Sequence, residues 1–225
     1  MTEASRLRRV ITTLARTYPD PAADPTDPFE LILFENVAYL VDDDRRSKVF
    51  KRLRDEIGLT PEAILRCPAE KIAGLIADGG MRPPMRAEKL IECARIADAQ
   101  GLDELRSAVR TDPDRAKKML RAYPGVGEPY ADKILLYCGN QPSLAPDSNV
   151  LRVLIRLGFG REVKSYGATY RSATSETSPL IRDLAEGQRG HKALRKHGQV
   201  VCKRTSPRCE LCAVRTDCNW YSASA

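Results

Sequence analysis

Apolar residues recur at three- and four-residue spacing along nearly all of a 225-residue chain, and period-2 alternation is scarce. Side chains so spaced share one face of a helix, whereas a strand would scatter them over both faces of a sheet. The expected fold class is therefore all-α. Prolines and glycines cut the pattern into pieces. A first helix over Glu3 to Thr17 stops before Tyr18-Pro19-Asp20-Pro21, since proline lacks the helical donor and biases its predecessor away from helix. Residues 18–28 read as a linker. The apolar run Phe29, Leu31, Ile32, Phe34, Val37, Tyr39 and Leu40 reads as one buried helix. A charged amphipathic helix follows through Lys48, Phe50, Leu53 and Ile57, and Gly58 closes it. Thr60-Pro61-Glu62 caps and opens another, and Pro68 opens one that runs to Ile76. Gly79 to Pro84 reads as a loop, with helices over Met85 to Gln100, Leu102 to Arg110 and Asp114 to Ala122 beyond it.

Hydrophobic residues at 42% and charged residues at 30% suit a globular protein with a real core, and no apolar run is long enough to span a membrane. The first twenty residues lack the continuous apolar core and small-residue cleavage site of a secretory signal, so a cytoplasmic, nucleoid-associated address is expected. A net charge of +7 favours a polyanionic partner through counterion release. The run Arg45, Arg46, Lys48, Lys51, Arg52 and Arg54 reads instead as a solvated helix face.

The most informative stretch is AKKMLRAYPGVGEPYADKILLYC, two helices joined by Pro124-Gly125-Val126-Gly127. Two glycines let backbone N–H groups point outward together at a helix start, which makes a phosphate cradle, with Val126 as an apolar plug beneath it. A plain structural connector would use the same residues. Further on, Asp147-Ser148-Asn149 suits the N-cap of a helix starting near Ser148. Near the C-terminus Cys202, Cys209, Cys212 and Cys218 form C-x6-C-x2-C-x5-C, while Cys67, Cys93 and Cys138 are scattered among apolar helical positions as core thiols. Four cysteines this close, with no oxidising compartment indicated, point to metal rather than disulfides. Zinc and a 4Fe–4S cluster are both open on the residues alone, although zinc usually takes two C-x2-C knuckles and this run has one.

The pattern L-x-x-Y-P-G-V-G-x-x-x-A, the aspartate in A-P-D-S-N-V-L-R-V, and the cysteine run preceded by His197-Gly198 together resemble the endonuclease III superfamily of DNA glycosylases. The resemblance covers Pro28 to Cys218. It implies a two-lobed helix-hairpin-helix glycosylase fold, with a helical barrel over 28–139 and an iron–sulfur lobe formed by 1–27 and 140–225. It implies that Pro124, Gly125, Val126 and Gly127 grip DNA phosphate, that Asp147 is catalytic, and that the four cysteines hold a 4Fe–4S cluster. The basic loop after Cys202, with Lys203 and Arg204, is expected to touch phosphates, as are Lys133 and Arg152. The partner the resemblance implies is double-stranded DNA carrying a damaged or mismatched base, with a monomer expected to bind it and no membrane expected to be involved.

Strand-cutting relatives resemble P-G-V-G-x-K, their lysine forming a Schiff base with the sugar. Here that position is Pro129, so the resemblance implies a monofunctional glycosylase that leaves an abasic site. Lys133, one turn on, is the alternative amine, and a non-catalytic damage sensor is the alternative of another class. Glu35, Tyr39, Leu40, Asp43 and Tyr130 are expected around the extruded base, with Tyr39, Met81 or Arg82 helping to fill the gap it leaves. The oxidised-guanine-reading module of adenine-mismatch relatives is not expected in a chain of this kind.

Overall fold

The computed structural model describes residues 2–18 and 25–224, and among these every regular element is helical, apart from one isolated bridge between Tyr39 and Gly80. None of the described helices is long and apolar enough to cross a membrane. The chain divides into two compact units, one of Asp24–Gly139 and one of the two ends, Met1–Ala23 with Asn140–Ala225.

Helix α1 (Glu3–Thr17) belongs to the second of these. The Thr2 hydroxyl caps it by accepting the Ser5 amide at 3.2 Å, and Leu7, Val10, Ile11 and Leu14 form its buried stripe. Of the linker expected after it, residues 19–24 lie outside the described residues and Pro28 is already helical.

The Asp24–Gly139 unit is built on α2 (Pro28–Asn36), which Asp27 caps by accepting the amides of Phe29 and Glu30 at 2.9 and 3.1 Å. With Leu31, Ile32 and Leu33 consecutive and all buried, α2 is core over most of its surface, and Glu30, Phe34 and Glu35 are its partly exposed positions. Around it come α3 (Asp43–Glu56), α4 (Pro61–Arg66), α5 (Ala69–Leu75), α6 (Pro83–Gln100), α7 (Leu102–Thr111), α8 (Pro113–Leu120) and α9 (Glu128–Cys138). Helix α6 packs against α2, α4, α5 and α7 through Ala87, Leu90, Cys93, Ala94 and Ala97. Truncating Leu90 there would cost about 2–5 kcal/mol. Burial pushes the Cys93 thiol up to about 12, as befits an inert core cysteine.

The basic run on α3 is largely paired inside the unit. Arg46 donates to the Phe34 and Glu35 carbonyls at 3.0 and 2.9 Å, Arg52 meets Asp78 at 2.9 Å, and Arg54 meets Glu30 at 2.9 Å.

Three expectations needed correction here. The apolar run from Phe29 does not continue as helix to Leu40. Helix α2 ends at Asn36, and Tyr39 and Leu40 emerge 53% and 75% exposed, because the Tyr39 amide bonds to the Gly79 carbonyl and Leu40 turns left-handed at φ 57°. Pro83 and Pro84 are not loop residues but open α6, where the missing amides would be unpaired anyway. Helix α8 stops at Leu120 rather than Ala122, its end tightened as the Ala122 and Tyr123 amides reach back only three residues.

The unit of chain ends joins α1 to α10 (Ser148–Leu157), α11 (Tyr166–Thr177), α12 (Leu184–Val200) and the short α13 (Asn219–Ser224). Helices α1, α10 and α12 share a core of Leu7, Ile11, Leu14, Val150, Val153, Leu154, Leu157 and Leu194. Gly198 lets α12 lie close to the start of α10, since a Cβ there would come within 2.9 Å of the Asn149 carbonyl oxygen. That approach fixes the surroundings of Asp147.

Candidate active site

The turn between α8 and α9 is held from below. Val126 is buried and its amide returns to the Tyr123 carbonyl at 3.1 Å, while Gly125 and Gly127 remain exposed. Gly125 needs its identity twice over: its φ is +79°, and a Cβ would stand 2.9 Å from the Asn36 side-chain oxygen. Buried Asn36 donates to the Pro124 carbonyl at 2.8 Å and to the Ile32 carbonyl at 3.1 Å, so it pins the turn to α2. At Gly127 the nearest atom to an added Cβ is 3.8 Å away, and the amides of Gly127 and Glu128 find no acceptor among the described residues. This rigid turn presents outward donors at a helix start, the arrangement that suits a phosphate oxygen.

On α9, Lys133 lies 5.6 Å from the ring centroids of both Tyr130 and Tyr137. The Tyr130 hydroxyl donates to the Leu31 carbonyl at 2.7 Å, fixing that ring against α2. Lys117 on α8 pairs with Asp132 on α9 at 2.8 Å and ties the two arms of the hairpin together.

Two further loops of this unit meet at the Tyr39–Gly80 bridge, which brings Tyr39, Leu40, Met81 and Arg82 together. The device that joins them is buried Arg86. Its guanidinium donates to the carbonyls of Met81 at 2.9 Å, Ile76 at 3.0 Å, Gly80 at 2.9 Å, and to that of Val37. Tyr39, Leu40 and Met81, at 53%, 75% and 56% exposed, form an apolar crest on this frame. Glu35, 3.6 Å from the Arg46 guanidinium, and Asp43, in the first turn of α3, stand on the elements flanking Tyr39 and Leu40.

Asp147 caps α10. One carboxylate oxygen accepts the Asn149 and Val150 amides, both at 2.8 Å, and the other accepts from Arg195 of α12 at 2.8 Å. Burial works against its charge, but His191, Arg195 and the Val150 amide outweigh it and hold the carboxyl below its ordinary range. His191 is itself buried, its Nδ1 2.9 and 3.1 Å from the carbonyl oxygens of Leu144 and Ala145. It grips the chain where Ala145 takes a left-handed φ of 39°, two residues before Asp147. The structure thus holds an ionised carboxylate rigidly at the start of α10.

Cys202, Cys209, Cys212 and Cys218 line a single pocket with His197, Arg156 and Trp220. Arg156 donates to the Cys202 sulfur at 3.3 Å, and His197 Nε2 is 3.4 Å from the Cys212 sulfur. Among the described residues no three of His, Cys, Asp or Glu gather closely enough to ligate one ion. Lys203 and Arg204 are exposed, while their carbonyls accept from Arg156 at 2.8 and 3.2 Å.

The Arg152 guanidinium donates to the carbonyls of Cys202 and Gly198 and to the Asn149 side chain, each at 2.8 Å, and so braces the cysteine loop. Asn36, Arg86, His191 and Arg195 escaped the sequence reading. Only Asn36, a polar residue closing the largely apolar run of α2, carried any local mark.

Against known proteins, the model of a family described as HhH-GPD superfamily base excision DNA repair protein matches residues 41–179. Endonuclease III of Thermotoga maritima is 28% identical over 198 residues, spanning 87% of this chain and 84% of that protein. Endonuclease III of Escherichia coli is 27% identical over 224 residues, 98% of this chain and 97% of that one. A solved structure of a trapped endonuclease III–DNA covalent intermediate superposes with a TM-score of 0.70 at 25% identity, covering 100% of this chain and 99% of the other. A thermostable thymine-DNA glycosylase superposes with a TM-score of 0.73 at 20% identity, covering 99% and 100%, a likeness of fold alone.

Proposed function

The chain belongs to the HhH-GPD superfamily of base excision DNA repair proteins, and from that membership we propose that it is a monofunctional DNA glycosylase acting on a damaged or mismatched base in duplex DNA. The observation that carries this reading is the ionised Asp147, fixed by two amides and Arg195 at the start of α10. Breaking the bond between C1′ and the base nitrogen develops positive charge on the deoxyribose, and a fixed carboxylate stabilises that charge without having to reorganise. Water then bonds to C1′ through its oxygen, the base departs with the bonding electrons, and one proton from the water ends on the departing base. An abasic site remains.

The Gly127 and Glu128 amides serve a phosphate in this scheme, and the Tyr39, Leu40, Met81 and Arg82 crest fills the space left by the extruded nucleotide. Glu35, Asp43 and Tyr130 are assigned to the surroundings of the extruded base. Lys203 and Arg204 supply phosphate contacts from the cysteine loop.

The four cysteines suit a 4Fe–4S cluster, since they surround one pocket without converging on a single point and the Arg156 cation lies against a sulfur. Cys202, Cys209, Cys212 and Cys218 would hold it, and when bound it supplies a cross-link for the loop after α12 and a capacity for one-electron exchange.

Hydrolysis rather than strand cutting is favoured because Pro129 has no amine, and because the neighbouring Lys133 amine is engaged against the Tyr130 and Tyr137 rings. The second reading, a glycosylase with lyase activity through Lys133, draws on the covalent DNA intermediate named for one structural relative. Borohydride treatment of the protein on an abasic duplex decides between them. The proposal expects no covalent adduct; an adduct that disappears in Lys133→Ala would establish the lyase.

A further inference from the structure

The connection between α10 and α11 is pinned along its length. The Gly160 amide donates to the Glu176 carboxylate at 2.7 Å, the Arg161 amide to the Ser172 hydroxyl at 2.9 Å, and the Val163 amide to the Thr169 hydroxyl at 3.0 Å. The loop therefore walks back beside α11 from its far end to its start, and α11 runs in the same direction as α10. Leu151 and Ile155 of α10 cluster with Tyr170 and Ala173 of α11. One helical turn earlier on both helices stand Asp147 and Tyr166, which this register places level with each other.

Tyr166 is 51% exposed, and Arg161 and Lys164 on the same loop are exposed too. Asp147 does not use the phenol: its oxygens accept from Asn149, Val150 and Arg195. Partial burial and then the Asp147 charge raise the Tyr166 pKa, so the phenol keeps its proton and remains a donor. A rigid loop thus offers a neutral donor and cations beside a carboxylate already paired with Arg195, a setting that suits an anionic oxygen.

Resting on the glycosylase reading above, we propose that Tyr166 contacts the DNA in the Asp147 site, its hydroxyl donating to a phosphate next to the nucleotide being cleaved, with Lys164 pairing to a neighbouring phosphate.

The test is binding of the full-length protein to a duplex with a central tetrahydrofuran abasic analogue, followed by the same duplex with a single neutral methylphosphonate at each flanking position in turn. Tyr166→Phe keeps the ring and should weaken binding about tenfold, the worth of one hydrogen bond to a charged acceptor. At one methylphosphonate position the variant and wild type should bind alike. Lys164→Ala should lower the slope of log affinity against log salt by about one. Equal affinity of Tyr166→Phe and wild type on the unmodified duplex, or a deficit that persists at every methylphosphonate position, would overturn the proposal. Either result, alongside excision that depends on Asp147, would leave the glycosylase reading standing; a wild-type protein that excises nothing would remove that reading instead.

Discussion

Replacing Gly125 by alanine tests the account of the hairpin quantitatively. The left-handed φ of +79° costs an L-residue about 1–2 kcal/mol. The new Cβ also stands 2.9 Å from the Asn36 side-chain oxygen, so Asn36 must move and its 2.8 Å bond to the Pro124 carbonyl weakens, costing about 1 kcal/mol more. Together these give about 2–3 kcal/mol. Asn36→Ala alone should cost about 1–3 kcal/mol, because the Pro124 and Ile32 carbonyls lose their donor. In the double variant the collision is gone and only the backbone strain remains at residue 125. The effects should therefore fall short of additivity by about 1 kcal/mol, as expected for residues in contact. Hydrogen exchange of the Val126 amide reports the turn directly, and urea unfolding followed by far-ultraviolet circular dichroism reports the unit that carries it. Strict additivity, or a Gly125→Ala protein within 0.5 kcal/mol of wild type, would refute the argument that Asn36 and Gly125 act as one device.

Asp147→Asn keeps a good N-cap and should fold, yet single-turnover excision should fall about a hundredfold or more with the loss of the fixed charge. Because the folded pKa of Asp147 lies below its ordinary value, its ionised form contributes stability above that ordinary value, and the contribution is lost as pH falls through the folded pKa. Acid unfolding curves of wild type and Asp147→Asn should thus converge at low pH and separate as pH rises toward neutrality; parallel curves would contradict the ion pair with Arg195. Arg86→Met leaves four carbonyls without their donor and should destabilise the protein by about 3 kcal/mol or more, with hydrogen exchange at Tyr39 and Gly79 to Arg82 rising first. Cys212→Ser should lower the bound iron measured per chain from about four toward zero; unchanged iron content would remove that cysteine from the ligand set.

Much of the helical frame was legible because its determinants are local. Thr60 stands where a cap is needed, Pro61 sits in a first turn, and the apolar stripe of α1 repeats at helical spacing. Asp147 was legible as a cap for the same reason. What the sequence hid depends on partners far along the chain. Tyr39 and Leu40 look like a continuation of α2, and only the Gly79 carbonyl and the Arg86 guanidinium, forty or more residues away, draw the chain out of helix there. Arg195 reads as one charge among many on α12 until the fold lays it against Asp147. Arg152 shows no sign in the sequence of the brace it forms to the carbonyls of Gly198 and Cys202. Tyr166 becomes meaningful only through the register of two helices that run in the same direction.

The most direct measurement is to incubate the purified protein with duplexes that each carry one deaminated, oxidised, alkylated or mismatched base, and to score strand breaks with and without alkali. The account predicts breaks at one class of base only after alkali, and none with Asp147→Asn. Breaks without alkali would contradict the monofunctional assignment, and the absence of breaks under both conditions, with tight binding to a lesion, would contradict glycosylase activity itself.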